Sequence, residues 1–188
     1  MRTIVSKDEP VLRRTAEEIP LNEIVGVRVR TLITEMKKLL AKEEYGVALA
    51  APQVGESLRL FVVAGSAVSN RDTTSAKRDI HESSLAARSS KLEAARDQVY
   101  INPVLTKVSR AKKEKHEGCL SVRGKWGMVP RAEKATITAY DEQGKKFTRG
   151  ASGLLAHIFQ HEMDHLNGIL YIDKATELYD EEKPPESR

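Results

Sequence analysis

The sequence predicts an α+β fold built from several strands, a long early helix and a second helix late in the chain. Three observations support this prediction: apolar residues recur with a helical period over residues 23–43, a second helical segment covers residues 153–166, and short runs of strand composition lie between them. The 188 residues are enough for one domain that buries a core, and 40% of them are hydrophobic.

The early helix is predicted from an apolar stripe with spacings of three and four, formed by Val25, Val29, Leu32, Ile33, Met36 and Leu40. Residues 46–55 follow, where glycine, proline and several alanines favour a tight, closely packed loop over a helix. Residues 58–63 have strand composition. Residues 65–97 are polar and predict a solvated insertion, with a short surface helix over residues 84–95.

The second half of the chain reads mainly as strands. Residues 99–103 predict a strand that ends in an Asn-Pro turn, the charged residues 112–115 predict a loop, and further strands are expected at 128–130, at 135–140 and around Phe147. Ser152 can cap the late helix, and Asn167-Gly168 ends it. From about residue 174 we expect a polar tail that frays at its end, which leaves a single domain with one insertion and one tail.

Composition excludes several classes of protein. The net charge is +4, from 31 basic and 27 acidic residues, and this excess is too small to indicate nucleic-acid binding. No apolar run has the roughly 18 residues of a membrane span, and no export signal is visible at the start. A single cysteine excludes an internal disulfide framework. We therefore expect a cytoplasmic protein with neither a membrane segment nor a nucleic-acid site.

A metal site is suggested by His161-Glu162-Met163-Asp164-His165. On a helix, the two histidines share one face and can hold one ion, while Glu162 can take a proton from a water on that ion. A catalytic site needs a third protein ligand. His157 is a poor candidate, because it lies about 12 Å along the helix axis from His165.

Several third ligands remain open. One peptidase pattern would place a histidine where this chain has Tyr171, and another would draw a glutamate from the tail, where Glu177, Glu181 and Glu182 are available. Cys119 is a further candidate, since a thiolate binds zinc or iron(II) strongly. A lone cysteine can equally be a small buried apolar residue or a catalytic nucleophile.

Three motifs in order make the chain resemble the peptide deformylase family: residues 46–53 (GVALAAPQ), 117–121 (EGCLS) and 160–166 (QHEMDHL). Residues 129–134 (VPRAEK) add to the likeness, which covers most of residues 1–64 and 98–173. The resemblance implies small antiparallel or mixed sheets around a central helix that carries the histidine motif. It also implies an enzyme that removes the formyl group from the N-terminal methionine of new proteins and releases formate.

Site roles also follow from the resemblance. Cys119, His161 and His165 match the metal ligands, Glu162 matches the general base and acid, and Gln53 with the backbone of Leu120 matches the oxyanion-binding groups. Iron(II) is the favoured ion, with zinc or nickel as alternatives. The residues expected to contact the peptide are Gly46, Val47, Ala48, Glu117, Gly118, Leu154, His157 and Ile158. The resemblance implies N-formyl-Met nascent peptides as partners, and it implies the ribosome only weakly, because the tail is acidic. An organelle is an alternative to the cytoplasm as the location.

The chain departs from the family pattern at Ala48, which stands in place of a glycine, at Arg123, which stands in place of a proline, and at His157, which stands in place of an apolar residue. Trp126 follows near the same rim. Two other functions remain open: a metallo-endopeptidase that uses a tail glutamate as its third ligand, and a non-catalytic homologue that only binds peptides. Replacing Cys119 by serine would separate the first alternative from a deformylase.

Overall fold

The computed structural model describes residues 2–69 and 96–180. Most of the predicted insertion, including its expected helix over 84–95, lies outside these residues. At the edge of this gap, Gly65–Ser69 forms the short helix α2. No helix in the described part of the chain is long and apolar enough to cross a membrane.

The first long helix, α1, covers Val27–Leu40 and is therefore shorter than the predicted 23–43. Turns precede it, and Gly26 in an extended conformation begins it. The predicted stripe is the buried face: Val29, Leu32, Ile33, Met36 and Leu40 are all buried. Val25 lies before the helix and is 43% exposed, so it is the one member of the predicted stripe that does not reach the core.

Five antiparallel strands form the larger sheet, in the order β1-β2-β3-β6-β7. Their bounds are β1 Ala48–Ala50, β2 Leu60–Val63, β3 Gln98–Val108, β6 Lys134–Tyr140 and β7 Lys146–Ser152. The predicted Asn-Pro turn is wrong, because β3 continues past Asn102 as far as Val108. The register shifts between Ile101 and Val104, and Asn102 has φ +48°, so the pair makes an irregularity inside the strand.

The smaller sheet has the order β4-β5-β8, with β4 at Lys112–Cys119, β5 at Val122–Ala132 and β8 at Glu177–Asp180. One prediction fails here. Residues 112–115, expected as a loop, begin β4, because their backbone pairs with β5 from Ala132 to Val129. The start of the predicted polar tail forms β8, which pairs with residues 125–128 of β5; the end of the tail, where fraying is expected, lies in residues 181–188, outside the described structure.

Helix α3, at Gly153–Leu166, matches the predicted 153–166, although the Ser152 side chain makes no capping hydrogen bond. The helix packs against β1, β3, β6 and β7 of the larger sheet and against β5 of the smaller one. Phe61 and Tyr100 stack in the core between helix and sheet, with ring centroids 4.7 Å apart, and Phe159 packs against them at an angle, with centroids 5.1 and 6.4 Å away. This packing makes α3 the central element and fixes the orientation of its polar face.

Candidate active site

Helix α3 places His161, Glu162 and His165 at the junction of the two sheets. The two imidazoles are one helical turn apart, and their ring centroids are 5.0 Å from each other. His165 is buried and His161 is partly buried. The helix ends at Leu166, and two residues further on Gly168 adopts φ +73° and lies against the backbone of Arg13. A tight turn thus holds the end of the helix in place.

The hairpin between β4 and β5 brings Cys119 to these histidines. Its register shifts between Glu117 and Cys119, and this irregularity precedes the turn into β5. The Sγ atom of Cys119 lies 3.2 Å from Nε2 of His165. One ligand atom from each of Cys119, His161 and His165 lies within 4.8 Å of the others. The three predicted metal ligands therefore converge, although they are separated by up to 46 positions in the chain.

The loop predicted over residues 46–55 is a short strand, β1, followed by a 3-10 helix at Ala51–Val54. This helix orients Gln53, whose Oε1 accepts a hydrogen bond of 2.8 Å from the backbone N–H of Ala50. The Nε2 group consequently points the other way, 3.4 Å from Sγ of Cys119 and 3.5 Å from Oγ of Ser121. Gln53 thus presents an amide donor beside the cluster, where sequence reasoning expected it.

A buried charge network supports His161. Nδ1 of His161 lies 2.9 Å from Glu117 Oε2, and Arg131 donates to both carboxylate oxygens of Glu117 at 2.7 and 2.9 Å. Arg131 also donates to Asp164 at 2.6 Å, and Lys174 donates to the other oxygen of Asp164 at 2.6 Å. An Nδ1–H donated to Glu117 leaves Nε2 of His161 free to bind a metal.

This network changes the role expected for Glu117. Glu117 was expected to contact the peptide; in the structure its carboxylate binds Arg131 and His161, which gives it a role in holding His161. Burial alone would raise the pKa of Glu117; the hydrogen bonds from Arg131 and His161 outweigh it and lower the pKa to about 2. Sequence reasoning assigned no role to Arg131 and Asp164.

The electrostatics of the cluster favour a thiolate. Burial opposes ionisation of Cys119, but the charge of His165 and a hydrogen bond from His161 outweigh it and hold the pKa of the thiol well below its ordinary value. His161 responds in the opposite sense: burial would lower its pKa, yet the hydrogen bonds with Cys119 and Glu117 raise it. A thiolate with two imidazoles is a donor set that binds zinc or iron(II).

Glu162 is 3% exposed and borders the groove. Burial raises its pKa, against the opposing effect of the charges on His161 and His165. Its Oε2 atom and Nδ1 of His165 find no hydrogen-bond partner within residues 2–69 and 96–180. A buried carboxyl group with an unsatisfied oxygen, next to side chains that could hold a metal ion, has the features of a general base.

A groove of about 790 Å³ leads to the cluster. It is bordered by the residues predicted to contact the peptide and by Leu120, which follows Cys119 directly: Gly46, Val47, Ala48, Glu117, Gly118, Leu120, Leu154, His157 and Ile158. Val47 and Leu154 are 40% and 37% exposed, so they form an accessible apolar wall, while Ile158 is buried. The structure therefore brings the predicted site residues together around one groove.

The rim of the groove contains the departures from the family pattern. The exposed Arg123 forms an ion pair of 3.2 Å with Glu43 across the rim. The Trp126 ring covers Gly118, where an added Cβ would lie only 3.1 Å from a ring atom. This packing explains why residue 118 is a glycine. Ala48 is buried in β1, where its backbone still pairs with Val63.

The endopeptidase alternative needs a glutamate from the tail. Glu177 lies exposed in β8, and among the described residues the cluster contains only Cys119 and the two histidines. Glu181 and Glu182 lie outside the described residues. Tyr171, which occupies the position of the histidine in the other peptidase pattern, stacks on His161 with centroids 6.3 Å apart.

The chain combines an α+β fold with a helix that carries His-Glu-x-x-His and faces a cysteine from a neighbouring hairpin. These are the side chains of a metal-dependent type of hydrolase site. The chain belongs to the polypeptide deformylase family, whose sequence pattern it matches over residues 1–181. It is 40% identical over 175 residues to peptide deformylase 1A, chloroplastic/mitochondrial, of Arabidopsis thaliana, covering 91% of this chain and 60% of the plant protein.

A bacterial relative matches over nearly its whole length: the peptide deformylase of Natranaerobius thermophilus is 35% identical, and the alignment covers 97% of both chains. Among solved structures, a Met-Ala-Ser-bound class I type b peptide deformylase of Acinetobacter baumannii has a TM-score of 0.73 at 29% identity, with 93% of this chain and 98% of that chain covered. The peptide deformylase of Thermotoga maritima has a TM-score of 0.72 at 28% identity, with 94% and 99% covered. The predicted family and fold class are confirmed.

Proposed function

We propose that this protein is a metal-dependent hydrolase that removes the N-formyl group from the N-terminal methionine of newly made proteins and releases formate. The observation that carries the proposal is the convergence of Cys119, His161 and His165, with ligand atoms within 4.8 Å of one another, beside the buried Glu162. We place this activity in a bacterial-type cytoplasm or in an organelle that starts its proteins with formyl-methionine.

The residues fit one divalent ion. Cys119 would supply a thiolate, and His161 and His165 would each supply a ring nitrogen, which makes the three protein ligands that a catalytic metal site requires. Iron(II) is our first choice, and zinc or nickel would fit the same donors. When bound, the ion lowers the pKa of a coordinated water towards neutrality and polarises the carbonyl group.

Glu162 performs the proton transfer in this proposal. Its buried position and raised pKa suit a group that must both accept and return a proton near neutral pH. The carboxylate accepts a proton from the attacking water. The resulting carboxylic acid then donates that proton to the departing α-amine, which leaves formate and a free N-terminus.

Gln53 stabilises the negative charge that develops on the formyl oxygen. Its Nε2 donor is pre-oriented, because Oε1 is held by the backbone N–H of Ala50 at 2.8 Å. The backbone N–H of Leu120, next to Cys119, is our candidate for a second donor. Loss of one such donor typically lowers the rate about 10²–10³-fold.

The groove gives the peptide a binding surface. Strand β1 stands at the end of the five-stranded sheet, so an extended peptide can pair with its outer edge near Gly46, Val47 and Ala48. Val47, Leu154 and Ile158 offer an apolar wall for the first side chain. The formyl group is small, so a narrow pocket beside the cluster would admit it and exclude larger acyl groups.

The test measures formate release from formyl-Met-Ala-Ser, under anaerobic conditions, by protein loaded separately with iron(II), nickel or zinc. We expect turnover that Glu162→Gln lowers at least about 100-fold. Cys119→Ser should lose both the activity and the stoichiometric metal. The matched control is Glu114→Gln, the same change on the exposed face of β4 outside the groove, which should leave turnover unchanged.

Three results would overturn the proposal. Absence of formate release with every metal would leave a peptide-binding homologue. An active Cys119→Ser protein that cleaves internal peptide bonds would indicate an endopeptidase. Full activity of Glu162→Gln would remove the proposed proton carrier.

A further inference from the structure

His157 is a buried polar residue in an otherwise apolar wall of the groove. It lies on α3 one turn before His161, about 6 Å along the helix axis, and is only 9% exposed. Its neighbours along the groove include Val47, Leu154 and Ile158. The imidazole therefore borders the part of the groove where the first side chain of the peptide is expected, one helical turn from the nearest proposed metal ligand.

The ring of His157 has no hydrogen-bond or ion-pair partner in the part of the chain that the structure describes. The other three histidines in that part each have one: His161 contacts Glu117, His165 contacts Cys119 and His116 contacts Tyr179. Among the described residues, only Glu162 Oε2 and His165 Nδ1 are fully buried without a partner, so the ring nitrogens of His157 remain accessible from the groove, and a ligand that displaces water from the ring must supply an acceptor in its place. Because His157 borders the groove, that acceptor can come from a bound peptide.

We propose that His157 is a specificity-determining residue that donates an N–H hydrogen bond to an acceptor atom on the first side chain of the substrate. This inference rests on the proposed deformylase function. The acceptor in methionine is the thioether sulfur, which accepts hydrogen bonds weakly. The oxygen of methionine sulfoxide is a much stronger acceptor on a side chain of similar length, so the groove should accept oxidised N-terminal methionine as well.

The protonation state of the ring supports a donor of this kind. Burial lowers the pKa of His157, although the charge of Glu117 acts in the opposite direction. A neutral imidazole carries one N–H donor and one nitrogen acceptor, which suits an uncharged side chain better than an imidazolium would.

The test compares kcat/KM for three formyl tripeptides that differ only in the first residue: methionine, norleucine and methionine sulfoxide, each followed by Ala-Ser. Norleucine has the shape of methionine without the sulfur acceptor. For the wild-type protein we expect methionine to exceed norleucine about two- to threefold, and the sulfoxide to be at least as good as norleucine. In His157→Leu, the methionine preference should disappear and the sulfoxide-to-norleucine ratio should fall about tenfold.

Two further variants separate hydrogen bonding from general damage. His157→Gln keeps an N–H donor at the same place and should retain most of the sulfoxide ratio. Glu114→Leu also replaces a polar side chain by leucine, but on the exposed face of β4 outside the groove, and should leave both ratios at the wild-type values. Calorimetric binding of the products Met-Ala-Ser and Nle-Ala-Ser supplies a readout that does not require turnover, and His157→Leu should abolish the difference in Kd.

Equal sulfoxide-to-norleucine ratios in wild type and His157→Leu would refute the inference while leaving the proposed function intact. The same holds if Glu114→Leu shifts the ratios as much as His157→Leu does. If the wild-type protein releases formate from none of the three peptides, the proposed function fails and the inference fails with it.

Discussion

Arg131 should contribute more to stability than any exposed arginine, because it links two elements through buried charges. Its side chain is 4% exposed, and it donates to Glu117 on β4 and to Asp164 on α3 over distances of 2.6 to 2.9 Å. The test is Arg131→Met, which keeps most of the apolar stem and removes the charge. Glu117 would then be left 7% exposed without its main partner, while Asp164 would retain Lys174.

The expected cost follows from the burial. Removing one partner of a buried ion pair destabilises a protein by about 3–5 kcal/mol, because the remaining charge stays desolvated. For a chain of this size, such a loss lowers Tm by about 6–20 °C. The pKa of Glu117 should rise towards or above its ordinary value, since burial raises it and Arg131 opposes that effect.

The assay is urea and thermal unfolding followed by circular dichroism, with all proteins in the same metal-free buffer. Arg123→Met is the matched control, because Arg123 is 72% exposed and its ion pair with Glu43 should be worth about 0–1 kcal/mol. The double variant Arg131→Met, Glu117→Gln should lose less than the sum of its single changes. If Arg131→Met costs no more than Arg123→Met, the network does not stabilise the fold and the reasoning is wrong.

Three further predictions concern the cap of α3, acid stability and metal binding. Gly168→Ala should destabilise the fold by at least about 2 kcal/mol, because φ is +73° and a Cβ would lie 2.8 Å from the backbone of Arg13. Gly55→Ala is the control, since Gly55 has φ +84° but open space around it, and it should cost only about 1 kcal/mol in the same unfolding assay. Equal costs for the two variants would exclude the clash with Arg13. The lowered pKa of Glu117 contributes stability that is complete above the ordinary pKa of 4.5 and is lost as the pH falls through about 2. The free energy of unfolding should therefore drop by about 3 kcal/mol over that window, and the drop should be smaller in Glu117→Gln. If Glu117→Gln has the same pH profile as the wild type, this assignment is wrong. Zinc at about 100 times its Kd should stabilise the wild type by about 2.7 kcal/mol and Cys119→Ser far less, whereas equal stabilisation would place the ion elsewhere.

The sequence was most informative where one element carries a complete local pattern. Helix α3 runs from Gly153 to Leu166 as predicted, because its apolar residues face the core and Gly168 ends it. The cluster of Cys119 with the two histidines was identified through motifs, since spacing alone left the third ligand open. The convergence of residues 119 and 165 depends on how the hairpin packs on the helix, and no local pattern encodes that contact.

Strand β4 was missed for a physical reason. Its first five residues, 112–116, are all exposed, so they show no alternation between apolar and polar side chains. What makes them a strand is backbone pairing with β5, which covers Ala132 to Met128 over the same stretch. Strand β8 has the same origin, since all four of its residues are exposed and its pairing partner is again β5. Such strands form because their backbone pairs with a neighbouring strand, and polar side chains are compatible with that pairing.

The buried charge network around Arg131, in contrast, could have been predicted from the alternation of buried and exposed residues in β5. In β5, Gly127, Val129 and Arg131 alternate with more exposed residues, so they share the buried face. An arginine on the buried face of a strand requires carboxylate partners, because its charge cannot be left desolvated. The acids that meet this need are Glu117, two residues before the proposed ligand Cys119, and Asp164, one residue before the proposed ligand His165. The same charge that β5 must neutralise therefore ties together the hairpin that carries Cys119 and the helix that carries the two histidines, so Arg131 connects the elements of the candidate site.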